Sequence, residues 1–206
     1  MKKMMTVLLS TMLVLCLGLS AVLAETAEKT KMTMADYLAS TQYTWFATGK
    51  TDYVIQGKMV SADTEVYNQL EDAHYTAQPN GEDVILKGTS GEEWVTKLTK
   101  VIKTYTKPDG TELTAEDFVA DTYIDLRTKP TEGNFACFIP VDIQVEVQTA
   151  WGDVLQANRP EVPHGAGDYL VCRAGEDGQP DFSDVWVVNG ETFPVTYNME
   201  NAKAAE

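Results

Sequence analysis

The chain has 206 residues, with 31 acidic side chains against 16 basic ones and a formal net charge of −15. So acidic a polypeptide repels phosphate backbones and anionic lipid headgroups, which argues against nucleic acid as a partner. With 44% hydrophobic and 23% charged residues it reads as a globular protein, enough for one ordinary domain or two small ones.

Residues 1–24 read as a signal peptide. Lys2 and Lys3 precede an unbroken apolar stretch, which closes on Val22, Leu23 and Ala24 before the polar Glu25, so cleavage is expected after Ala24. The alternative is a retained anchor, because the stretch from Met5 to Ala24 is long enough for a hydrocarbon core of ~30 Å. Gly18, Ser20 and the small-residue site favour cleavage. Cys16 follows Leu15 rather than the small residue a lipidation signal needs. Removing Lys2 and Lys3 from a charge of −15 leaves about −17. The expected location is extracytoplasmic or secreted, with membrane contact only through an uncleaved leader.

Residues 25–41 look like a polar stalk, with a turn of helix at 34–40. A first module is expected over 42–113. It opens on an aromatic cluster, Tyr43, Trp45, Phe46 and Tyr53, and continues through "EDAHY" to a strand at 83–88. Trp94, Leu98, Val101, Ile102 and Tyr105 then recur at helical spacing, so a helix over that segment can cover the strand. "KPDGT" at 107–111 is a tight turn. Thr114 and Asp117 form a capping pair in a linker over 114–118.

A second module is expected over 119–198. In "VDIQVEVQ" the residues Val141, Ile143, Val145 and Val147 alternate with Asp142, Gln144, Glu146 and Gln148, which describes a half-buried strand. Another strand falls at 168–173. Cys137 and Cys172 lie in strand-like runs, and in an exported protein they either join as a disulfide or stay as two buried thiols. Gly190 and Pro194 shorten any helix before Tyr197. Residues 199–206 read as a frayed tail.

The two modules share an ordered series. Trp94 to Tyr105 is 11 positions and Trp186 to Tyr197 is also 11, with Val101 against Phe193 and Thr104 against Thr196. Upstream, Asp83 aligns with Asp168, and the longer second gap is a loop insertion around "GEDGQPDFSD". One unit has been written twice. The expected fold is α+β and β-rich, two small tandem modules, each a short sheet covered by a short helix.

The residues Gly167, Asp168, Tyr169, Trp186, Phe193, Thr196 and Tyr197 resemble the small bacterial domain named for its Pro-Gly-Asp-Tyr-Gly signature. Gly81, Asp83, Trp94 and Tyr105 look like a degraded first copy. Ala166 replaces the signature's Pro, Leu170 its final Gly, and Glu82 separates Gly81 from Asp83. The match covers about a third of the chain. The family has no established activity, so the resemblance implies a small mixed fold and supplies no catalytic residues.

Candidate sites are sparse. His74, beside Glu71 and Asp72, and His164, in a Gly-rich loop, lack the converging ligands a zinc site needs. Glu176, Asp177, Asp181 and Asp184 lack the ligand spacing of an EF-hand and read as a solvated loop. Ser90 sits in a flexible Gly-rich turn without the strand-to-helix elbow of a serine hydrolase. No metal or cofactor is expected. Trp45 and Trp151 are candidate stacking platforms for a sugar or peptide, against the plainer reading that such rings fill small cores. The expected function is an exported, non-catalytic binding or structural module of the envelope or extracellular space, its partner an envelope glycan or protein. The alternative is a secreted hydrolase with dispersed carboxylates, whose pair need not be close in sequence.

Overall fold

The computed structural model describes residues 29–40 and 43–202. The leader and its cleavage point lie outside the described residues. Among the described residues no helix is long and apolar enough to cross a membrane.

The described residues form fourteen strands: β1 (Thr30–Thr33), β2 (Trp45–Thr48), β3 (Val54–Lys58), β4 (Thr64–Asn68), β5 (Ala73–Ala77), β6 (Asp83–Lys87), β7 (Glu93–Lys97), β8 (Tyr105–Thr106), β9 (Ile124–Thr128), β10 (Asn134–Pro140), β11 (Ile143–Gln148), β12 (Val154–Ala157), β13 (Gly167–Ala174) and β14 (Pro180–Val188). The α-helices are α1 (Met34–Ser40), α2 (Leu98–Thr104) and α3 (Phe193–Thr196). Strands hold 45% of the described residues and helices 13%, which makes the class β-rich α+β.

Two main sheets form, in the orders β7-β6-β3-β9-β8 and β14-β13-β10-β2. The second is extended by a bridge from Lys50, just past β2, to Tyr197. Each carries a hairpin. β4 pairs β5 beside the first sheet, and β11 pairs β12 beside the second, with β1 added in parallel along β11.

The middles of β6 and β13 are continuous apolar runs because both of their faces are covered. In β6, Val84 and Leu86 pack with Leu98 and Val101 of α2, while Ile85 packs with Val66 and Ala77 of the hairpin. In β13, Val171 packs with Phe193 of α3, while Leu170 and Cys172 pack with Val145, Val147 and Ala157. Alternation fails in such strands, since neither side chain direction reaches water.

The strands do not sort by the expected division at 114–118. β2 pairs with β10, placing Phe46 opposite Ala136, and β9 pairs with β3, placing Ile124 opposite Gly57. Each sheet therefore takes one strand from across that boundary. The segments that carry this exchange meet tightly, for a Cβ added to Gly49 would lie 1.8 Å from the Thr131 carbonyl oxygen.

Other expectations shift as well. Residues 93–97 form a strand, so Trp94 lies opposite Leu86 in the ladder and the helix begins only at Leu98. The Gly88–Gly91 turn returns the chain directly onto β6, and ladder hydrogen bonds override the helical period there. The stalk is partly folded: β1 joins β11, and Tyr37 of α1 is buried, its hydroxyl donating to the Phe138 carbonyl at 3.2 Å. The tail also docks, as Met199 and Ala202 pack on the core around Phe193.

Candidate functional site

Asp168 is buried and acts as a pin. Its Oδ2 accepts from the Asn158 N–H at 2.6 Å, and its Oδ1 accepts from the Gly190 N–H at 2.8 Å. Asn158 returns the contact through Oδ1, and its Nδ2 donates to the carbonyls of Ile139, Pro140 and Ile143. This knot ties the exit of the β11–β12 hairpin to the start of β13 and to the turn before α3. Burial pushes the Asp168 carboxyl above its ordinary range, against the pull of those two N–H groups. Gly167 must be glycine, because its φ is +150° and a Cβ would meet the Ile139 carbonyl oxygen.

Asp83 opens β6 in the first sheet. Its Oδ2 accepts from the Gln78 N–H at 3.0 Å, and its Oδ1 takes the Lys97 ammonium at 2.6 Å. Burial would raise this carboxyl, but Lys97 and the Gln78 N–H outweigh it and hold it below the usual range.

The remaining signature residues go into packing. Tyr169 stacks on Phe193 at 3.9 Å between ring centroids, and Phe193 stacks on Tyr197 at 4.9 Å. Phe46, from the exchanged strand, meets Phe193 edge-on at 6.2 Å. Trp186 packs against the same core and hydrogen-bonds to Tyr197. In the first sheet Val84, Val101 and Tyr105 share one buried cluster, with Trp94 packed against it. These are core positions, with no reactive group presented to solvent.

Cys137 and Cys172 are free, buried thiols, which corrects the disulfide alternative. In the ladder Cys137 faces Leu170 and Cys172 faces Phe135, so the pair is diagonal. Diagonal neighbours stand roughly 7–8 Å apart, beyond ordinary disulfide reach. Burial pushes both thiols up to about 12.

The two candidate platforms differ. Trp45 is half-buried and packs on Phe182 at 5.2 Å, so it serves the core. Trp151, in the β11–β12 turn, is 55% exposed, and its ring N–H donates to Asp153 at 2.9 Å.

The titratable groups singled out from sequence find structural partners. His74 stacks with Tyr67, while Tyr67 and Tyr75 donate to Asp72 and Glu71 respectively. His164 Nε2 lies 2.9 Å from Lys29 Nζ. Asp177 and Asp181 accept from backbone N–H groups two residues on in their own loop. Ser90 Oγ faces the Thr192 hydroxyl at 2.8 Å, which is no base. Among the described residues no three of His, Cys, Asp or Glu gather as metal ligands would.

Sequence reasoning missed Gln144. Alternation assigns it to the solvent side of β11, yet it is only 7% exposed. It lines a cleft of about 310 Å³ with Lys31, Thr33, Asp36, Glu146 and Gln156. A second cleft, about 490 Å³, lies by Lys107, Asp109, Asp117 and Ile124, and there Lys107 is already paired with Asp117 at 3.0 Å.

No family model, curated protein or solved structure matches the chain.

Proposed function

We propose that the chain is an exported, non-catalytic binding module of the cell envelope or extracellular space, built from two divergent copies of a Pro-Gly-Asp-Tyr-Gly-type unit that exchange a strand. The duplication is supported by matching registers. Leu86 faces both Trp94 and Gly57, and Val171 faces both Trp186 and Ala136. Tyr105 meets Thr128 at the end of β9, as Tyr197 meets Lys50 just past the end of β2. Gln78 and Asn158 donate to Asp83 and Asp168 in the same way.

The non-catalytic reading is carried by one observation: the signature side chains, from Asp168 to Tyr197, are spent on pins and core stacking. Glu71 and Glu92, whose carboxyls burial raises, are engaged by the Tyr75 hydroxyl and the Ser90 N–H. A glycosidase needs one of its two carboxyls kept protonated by an apolar, buried setting, whereas Asp36 and Glu146, which line the first cleft, are both exposed.

The test uses protein recovered from outside the cytoplasm of an expressing bacterium, checked by mass to begin at Glu25, and incubated with insoluble cell-wall material. Retention in the pellet without release of soluble fragments is the expected result. Released fragments would establish the hydrolase, and a protein that stays wholly in the supernatant would remove the wall-binding reading.

A further inference from the structure

The cleft beside β11 contains an unmet polar group. Gln144 is more than nine-tenths buried, and its Nε2 donates to Gln156 Oε1 at 2.8 Å. Its Oε1 has no hydrogen-bond partner. A buried acceptor left without a donor carries a standing cost that an incoming donor relieves. Amide orientation does not remove the problem, because turning the group over leaves the nitrogen unmatched instead.

We infer that this cleft binds a neutral, polyhydroxylated ligand, a short oligosaccharide, with Gln144 and Gln156 as the recognising amides. The inference rests on the binding-module reading above and names its site and ligand class. A hydroxyl both donates and accepts through one atom, so it satisfies Gln144 in either orientation. The walls repeat this duality. Lys31, directly across the ladder from Gln144, donates, while Glu146 and Asp36 accept. Two acids against one base, in a molecule of charge −15, disfavour a phosphate or carboxylate ligand. A volume of about 310 Å³ holds a sugar ring or two, at the small end of the roughly 300–1,000 Å³ typical of ligand sites.

Position on the sheet adds to the case. Gln144, Glu146 and Gln148 share one face of β11, a polar row about 13 Å long at the usual rise per residue. The hairpin continues from that row into the turn bearing the exposed Trp151, a ring suited to stacking on a further sugar. Oε1 is at present shut from water. The exposed side chain of Lys31, across the ladder, is the flexible part beside it, and a ligand reaches the amide by moving that side chain aside.

The experiment is a titration followed by amide NMR, with cellotetraose, maltotetraose and fully N-acetylated chitotetraose as neutral probes, and spermidine and inorganic phosphate as charged ones. The expected result is saturable shifts in β1 and β11 with one tetrasaccharide. Binding should weaken at least tenfold in Gln144→Leu, whose melting temperature stays near that of the parent because losing the Nε2 bond to Gln156 is offset by removing the unmet buried oxygen. The exposed Gln156→Ala variant should weaken binding too, and it keeps the test open if Gln144→Leu folds poorly. Sugar binding that survives both variants sinks the cleft and leaves the module reading standing. Response to spermidine or phosphate alone overturns the ligand class, as does no response at all. A tetrasaccharide shortened during the titration overturns the non-catalytic reading instead.

Discussion

His164 shows how a single buried side chain makes stability depend on pH. Its Nε2 accepts from Lys29 Nζ, which also donates to the Asn158 carbonyl at 2.7 Å, so the ring is neutral and helps to hold the chain leading into β1. Burial lowers its pKa and the Lys29 charge lowers it further, while Asp168 and Glu191 pull the other way. The unfolded chain takes a proton near its ordinary value of about 6.5, whereas the folded chain resists until lower pH. Between those values the unfolded state binds more protons, so stability falls as pH drops from about 6.5. Asp168, Glu71 and Glu92, with raised pKa values, act with the opposite sign, stability falling as pH rises past their ordinary values. The His164 contribution is therefore read as a difference: between pH 7.5 and 5.5 the urea midpoint of the parent should fall relative to that of His164→Gln. Equal slopes would show that the ring carries no linkage. Asp168 was legible in the sequence through its Gly-Asp-Tyr context. Asn158, which serves three carbonyls from a left-handed backbone at φ +58°, was not, because its role exists only once three separate turns come together.

At the scale of elements, β6, β11 and β13 were legible because apolar runs bounded by turns describe strands whatever their neighbours are. The segment from Trp94 was ambiguous, since one apolar spacing served both a strand end and the helix after it. Exchange of β2 and β9 was not legible at all: "WFAT" reads only as part of an aromatic cluster, and nothing in "IDLRT" marks the sheet it joins. Gly49 is the residue on which that exchange turns. An added Cβ would strike backbone at Thr131, and backbone in a crossed, hydrogen-bonded pair has little room to yield, as the Thr131 N–H donates to the Lys50 carbonyl at 3.1 Å. Gly49→Ala should cost about 3 kcal/mol, the upper part of the overpacking range, or roughly 6–12 °C in melting temperature. Gly178→Ala offers the control. There φ is +75° with no atom within 4 Å, so only conformational strain of about 1 kcal/mol is expected. Calorimetry that found the two variants equally stable would remove the tight crossing.

For the whole molecule, the exchange makes the two halves interdependent in a way that a tandem repeat is not. β9 lies between β3 and β8, and without it β3 becomes an edge and Tyr105 loses its ladder partner. β2 brings Phe46 into the Phe193 stack, so its removal opens the second core. The halves also touch through Ser90 and Thr192. Small domains bury too little surface to lose a strand and a core aromatic and still fold. Fragments 29–113 and 114–202 should therefore each lack a cooperative thermal transition when purified alone. Mixed at equal concentration they should regain one, with a melting temperature that rises with concentration, since folding then depends on association. A cooperative transition in fragment 29–113 by itself would mean that the first sheet closes without β9, through β2 or otherwise. The exchanged pairing would then be one arrangement among equals, whereas failure alone and recovery together require each half to lend its strand to the other.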